Sequence, residues 1–176
     1  MEQYSNKKFS LFDFNNLEIK DDKKYELIDG IVLMSPRPNY KHQEVMGNLF
    51  LQLANYLKGK PCKVFTEAEI EFKDNVIIPD ISVICGLDDS NFQRYKKAPE
   101  IVIEIISPSS QYTDSFTKLI KYELIGVKEY WIANPKTKII TVYNFENKTN
   151  EDYCKNENLV SSVFKDLVIS VYDIFL

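Results

Sequence analysis

Two carboxylates sit where a soluble chain seldom tolerates one. Glu104 lies inside Ile101-Val102-Ile103-Glu104-Ile105-Ile106, a β-branched run closed by Ser107-Pro108-Ser109. Such a run reads as a central, fully buried strand. Burying an ionised carboxylate without a partner is strongly unfavourable. A Lys, an Arg or a metal ion is therefore expected to meet Glu104, and a salt-bridged structural Glu would satisfy the same demand. The second carboxylate, Asp80, follows Pro79 in Val76-Ile77-Ile78-Pro79-Asp80-Ile81-Ser82-Val83-Ile84-Cys85. Proline cannot donate to a ladder, so it predicts an edge or a bulge, and bulges re-aim side chains near active sites. Taken alone, Asp80 also suits a turn or strand end. Two apolar strands with one lone carboxylate each can converge on one hard cation, with water and phosphate oxygens completing its shell.

The elements that must position these groups are legible in outline. Tyr25-Glu26-Leu27-Ile28, Asp29-Gly30 and Ile31-Val32-Leu33-Met34 read as a β-hairpin with a strong turn signal. From about Lys41 to Lys58 the pattern is helical, with Val45, Leu49, Leu53 and Tyr56 on one face and Met46, Phe50 and Leu57 beside it. Gly59 and Pro61 end it. Lys63 to Phe72 and Val76 to Cys85 predict one hairpin around Lys73-Asp74-Asn75. A second helix is expected from about Ser115 to Ile125, capped by Asp114 and stopped by Gly126. Glu129 to Asn134, Lys138 to Phe145 and Val168 to Leu176 supply further strands or short helices, and Glu146 to Asn158 reads as an exposed loop or hairpin tip. This order predicts an α/β fold, a mixed sheet flanked by helices. No glycine-rich phosphate loop supports a nucleotide fold.

The second helix has two apolar stripes: Phe116, Ile120 and Leu124, and Leu119, Tyr122 and Ile125. Lys118 lies beside the second. If that stripe packs on the sheet, Lys118 points toward the carboxylates; if the first does, Lys118 points into solvent.

With 176 residues the chain is read as a single domain, with a core of about 22–145 and a C-terminal extension of 146–176. A hydrophobic share of 44% and a charged share of 27% suit a globular protein. The net charge of −4 excludes a global basic field, so nucleic-acid binding would need a local patch such as Lys96-Lys97 or Lys118 with Lys121. No apolar run is long enough to span a membrane, and no signal peptide is expected. Cys62, Cys85 and Cys154 show neither CxxC pairing nor metal spacing, and with the single His42 they make no zinc site. Their odd, scattered count suits a reducing cytoplasm.

Pro79-Asp80 followed by Glu104 in a buried strand resembles the metal-binding core of the PD-(D/E)XK nuclease superfamily. The resemblance is closer to its Uma-two branch of restriction-endonuclease-like proteins. Tyr25 through Gly30, Ser35-Pro36, His42, Ser107-Pro108-Ser109, Asp114 through Lys118 to Tyr122, and Gly126-Val127-Lys128-Glu129-Tyr130-Trp131 carry it. It implies a restriction-endonuclease-like fold, Mg²⁺ or Mn²⁺ held by Asp80 and Glu104, DNA as substrate and often a homodimer. The superfamily's lysine, two residues after the Glu, is replaced here by Ile106. In the Uma-two branch a lysine of the following helix serves instead. Lys118 occupies that place, with Lys121 as the fallback, while Glu26 and His42 match further site positions. The alternative is a catalytically degenerate nuclease fold that binds nucleic acid or a protein. An unrelated structural dimer, with Glu104 paired to a lysine, is the third option.

Overall fold

The α/β fold is the one expected, a mixed six-stranded sheet flanked by helices, and a second, five-stranded sheet stands beside it. A computed structural model describes residues 2–87, 93–107 and 112–176, with backbone alone for residue 2 and residues 112–116. The chain opens with β1 (Glu2–Gln3), α1 (Leu11–Asn15), β2 (Lys24–Ile28), β3 (Ile31–Ser35) and α2 (Tyr40–Leu57). It continues with β4 (Cys62–Thr66), β5 (Ile70–Phe72), β6 (Asn75–Ile77), β7 (Ile81–Cys85) and β8 (Ile101–Ile105). After α3 (Tyr112–Ile125) come β9 (Glu129–Asn134), β10 (Ile139–Asn144), β11 (Thr149–Cys154), β12 (Asn158–Val160), β13 (Val168–Ser170) and α4 (Val171–Ile174). The sheet orders are β1-β3-β2-β6-β5 and β11-β10-β9-β8-β7-β4, with β12 and β13 as a separate ribbon. In the six-stranded sheet β8 and β9 run parallel, and the other pairs are antiparallel.

The hairpin of β2 and β3 forms where expected, with Asp29 at φ 51° and Gly30 at φ 77°. Two successive positive φ values are what a type I′ turn requires, and Asp-Gly supplies them at little cost. The single hairpin expected over Lys63 to Cys85 is split instead. β5 and β6 pair in the five-stranded sheet, whereas β4 and β7 pair in the six-stranded one. Pro79 therefore marks neither an edge nor a bulge but a crossing between sheets. It lacks the N–H a ladder needs, and opposite it Glu67 turns to φ 50°, its N–H bonded to Asp80 O at 3.1 Å.

Alternation along β8 sets the two faces of the six-stranded sheet. Ile101, Ile103 and Ile105 face one core with Val45, Leu49, Leu53 and Leu57 of α2. Val102 faces the other, with Tyr122 and Ile125 of α3 and Tyr130 of β9. A third core joins Phe14 of α1 to Tyr25, Leu27, Val32 and Val76 of the five-stranded sheet. The C-terminal Leu167, Ile169, Val171, Ile174 and Phe175 complete the α2-side core. Glu129 anchors this segment: its carboxylate accepts hydrogen bonds from Trp131 Nε1, Ser161 Oγ, and Ser162 N and Oγ.

Three further expectations are refined or corrected. Glu146 to Asn158, read as an exposed loop or hairpin tip, is exposed but carries the edge strand β11, which pairs with β10 as a hairpin. α3 starts at Tyr112, not Ser115, so Asp114 lies within its first turn rather than capping it. The side chains of Asp114 and Phe116, and residues Pro108 and Ser109, lie outside the described residues. Cys62 and Cys85 are not scattered but directly opposite on β4 and β7, joined as a disulfide; Cys154 is free and exposed. No helix among the described residues is long and apolar enough to cross a membrane.

Candidate active site

The seam between the two sheets gathers charged and polar side chains from β2, α2, β8 and α3, with Asp80 just before β7. β7 pairs with β8 through Ile81 and Ile103, so one further step of the register sets Asp80 opposite Glu104. Asp80 turns one oxygen back to the strand: Oδ2 accepts from the N–H of Ile105 at 2.8 Å and from His42 Nε2 at 3.0 Å. A carboxylate can only accept there, so Nε2 carries the hydrogen. His42 is the third residue of α2, brought to this end by Asn39, whose side chain caps the helix by accepting from the His42 N–H. Oδ1 of Asp80 accepts from Lys24 Nζ at 3.1 Å.

Glu104 faces α3, as its parity with Val102 requires. Its Oε1 accepts from Lys118 Nζ at 2.9 Å and from the Tyr122 hydroxyl at 2.6 Å. The same ammonium lies 3.0 Å from Glu26 Oε1, which also takes the Ile78 N–H at 2.8 Å. The stripe of α3 that meets the sheet is thus Lys118, Tyr122 and Ile125, with Ile120 and Leu124 left outside. The helix ends at this rotation because Gly126, at φ 94°, lets the Val127 N–H reach back to Tyr122 O. Lys118 is buried, so it is no part of a surface DNA patch. Lys121, the fallback, is taken by Asp29 at 2.6 Å.

All five residues singled out in the sequence therefore meet at one place: Asp80 with His42, and Glu104 with Lys118 and Glu26. Glu26, in the middle of β2, is 1% exposed. Two further participants had been given no site role. Lys24 stands two residues before Glu26 on the same strand, so period-2 alternation gives it the same face. Tyr122 stands four residues after Lys118 on the same helical stripe.

The electrostatics follow from a count of charge. Three carboxylates, Asp80 and Glu26 buried and Glu104 half-buried, face two ammoniums, Lys24 and Lys118, leaving a formal −1. Burial pushes the Glu104 carboxyl up; Lys118 pulls it down, Asp80 pushes it up again, and it stays above the ordinary value of 4.5. Burial also acts upward on Asp80, but the His42 hydrogen bond and the Lys24 charge hold it well below the carboxylate range. Burial lowers Lys118, yet Glu104 and Glu26 outweigh it and keep the ammonium protonated far above neutrality.

Oε2 of Glu26 is buried with no hydrogen-bond partner. Hard oxygen donors, a surplus of negative charge and an orphaned carboxylate oxygen fit a divalent cation. Asp80 and Glu104 would hold it. Among the described residues no three His, Cys, Asp or Glu side chains already stand together as a metal cage.

A protein-family model described as "Putative restriction endonuclease", named Uma2, matches residues 11–171. The chain is 25% identical over 118 residues to the uncharacterized protein slr1290 of Synechocystis sp. (strain ATCC 27184 / PCC 6803 / Kazusa), a match covering 65% of this chain. It spans 62% of that relative's length. The fold matches the crystal structure of a "putative nuclease belonging to DUF820" from Anabaena variabilis ATCC 29413 with a TM-score of 0.84. That match covers 95% of this chain and 97% of the other at 23% identity, a likeness of fold. With the family model running from α1 to the start of α4, the chain belongs to the Uma2 family.

Proposed function

We propose that the protein is a Mg²⁺- or Mn²⁺-dependent endonuclease that hydrolyses phosphodiester bonds of DNA. The observation that supports this most is the buried cluster with one carboxylate more than its ammoniums, in a chain of the Uma2 family. Restriction-endonuclease-like nucleases generally use divalent metals. When bound, the cation supplies polarisation of the phosphate and a more acidic water. The chain's own residues do the rest. His42 and the Ile105 N–H hold the rotamer of Asp80, and Tyr122 holds that of Glu104. Glu26 orients Lys118. Lys118 presents a fixed positive charge to the charge developing on phosphate.

Supercoiled plasmid is the test. Cleavage is expected with Mg²⁺ or Mn²⁺ and is expected to vanish in EDTA and in Asp80→Asn. A second reading, a non-cleaving fold that binds nucleic acid or a protein, is favoured by one observation. Asp80 and Glu104 are already engaged by Lys24, His42, Lys118 and Tyr122. Intact plasmid at saturating Mn²⁺, with DNA still retained, would select that reading.

We also propose a two-fold homodimer. Ile120 and Leu124 are 45% and 62% exposed and lie one turn apart on α3, an apolar stripe open to a partner. A cytoplasmic location completes the proposal. There the Cys62–Cys85 bond would face a reducing thiol pool, and mass mapping of protein purified without reductant reads its state.

A further inference from the structure

A cavity of about 420 Å³ opens beside the carboxylate cluster and shares two residues with it. Lys24 lines the cavity while its Nζ donates to Asp80 at 3.1 Å. Ile78 lines it while its backbone N–H donates to Glu26 at 2.8 Å. The other walls are of two kinds. Pro36, Pro38 and Met46 give flat apolar surface, and Lys23 and Arg37 give positive charge. Lys24 is already counted against Asp80, and the remaining Lys23 and Arg37 balance Asp22 and Glu67. Asp22 is already bonded to Arg37 at 2.6 Å.

The volume falls within the roughly 300–1,000 Å³ of small-molecule sites. A paired duplex hides its bases in the stack and offers none to such a recess, whereas a single strand or an extruded nucleotide does. Apolar walls accept a base or sugar, and the cations accept its phosphate.

We propose that this cavity is a nucleotide subsite, taking one unstacked nucleotide of a strand whose neighbouring phosphate lies at Asp80 and Glu104. The proposal rests on the nuclease reading for the place of that phosphate. Its consequence is a preference for single-stranded, frayed or gapped nucleic acid over fully paired duplex.

Fluorescence anisotropy on the intact chain in EDTA tests this without cleavage. The probes are a labelled oligothymidylate of about 12 nucleotides and a blunt hairpin duplex of matching length. The single strand is expected to bind at least about tenfold tighter, since the paired duplex would first have to unstack a base to fill the recess. Gln43→Trp changes an exposed residue of the cavity wall on α2 and fills the recess. It is expected to lower single-strand affinity about tenfold and leave duplex affinity unchanged. Arg37→Ala, at an exposed side chain, is expected to reduce the salt slope of strand binding by about one. Equal affinity for both probes, or single-strand binding unmoved by Gln43→Trp, overturns the subsite. Competition by thymidine monophosphate shows that a free nucleotide also enters; no competition, with binding still sensitive to Gln43→Trp, assigns the cavity to strand-borne nucleotides. The two readings fail separately. A Gln43→Trp variant that cuts plasmid at the unchanged rate, in a chain binding both probes equally, sinks the subsite alone. Strand binding sensitive to Gln43→Trp, with no cleavage in Mn²⁺, sinks the nuclease reading alone.

Discussion

Lys118 meets Glu104 and Glu26 together in the interior. Lys118→Met would leave both carboxylates buried without that counter-charge. The expected loss is about 3–5 kcal/mol, read by urea denaturation in EDTA; a loss below about 1 kcal/mol would show that the pair adds no more than a surface contact. Glu104 gives the metal-free protein a pH signature. Its folded-state pKa lies above 4.5, so the folded chain takes up a proton before the unfolded chain does. Its contribution therefore declines as pH rises from 4.5 through the folded value. Asp80 behaves oppositely: held below 3.8, it stabilises above that pH, and the effect is lost as pH falls further. Melting curves in EDTA are expected to rise in midpoint from neutral pH toward 4.5 in the unchanged chain and to lose that component in Glu104→Gln. Identical pH slopes for the two proteins would refute the assignment.

At the scale of elements, β9 and β8 do different work although they lie side by side. β8 delivers Glu104 to α3 and its isoleucines to α2. β9 turns Glu129 toward the C-terminal segment, where it accepts from Trp131, Ser161 and Ser162. Glu129→Ala is expected to destabilise by about 3 kcal/mol or more, because the indole N–H and the Ser161 hydroxyl lose their acceptor in a buried place. Thermal melting reads this, and limited proteolysis should then begin within residues 161–176. A loss confined to a few tenths of a kcal/mol would mean that water replaces the carboxylate.

The whole molecule joins two sheets at the seam that holds the cluster, so ligand binding there should report on global stability. Mn²⁺ or Mg²⁺ is expected to raise the melting temperature, by about 2.7 kcal/mol of stabilisation at a hundredfold excess over the dissociation constant. Asp80→Asn should lose that gain, and an unchanged midpoint in saturating Mn²⁺ would count against a catalytic metal. Light scattering at micromolar concentration is expected to return a dimer mass that Leu124→Glu halves, since a charge on the exposed α3 stripe opposes a two-fold contact. A monomer mass for the unchanged chain would leave Ile120 and Leu124 as ordinary surface.

Local pattern alone determined the β2–β3 hairpin, the course of α2 and the isolation of Glu104 in an apolar strand. Each is short-range physics: Asp-Gly turn geometry, 3.6-residue periodicity and the cost of a buried charge. Lys118 stood in view but its direction did not, because α3 has two apolar stripes and only the sheet it packs on chooses between them. The same holds for Lys24, whose partner is 56 residues away. Pro79 announced a break in the strand, yet whether the chain stays in one sheet or crosses to another depends on partners far off in sequence. Cys62 and Cys85 became neighbours only through the β4–β7 register, which crosses both passages between the sheets. Propensity and periodicity act within a few residues, whereas register, helix rotation and the meeting of buried charges are long-range pairings that the packed chain alone decides.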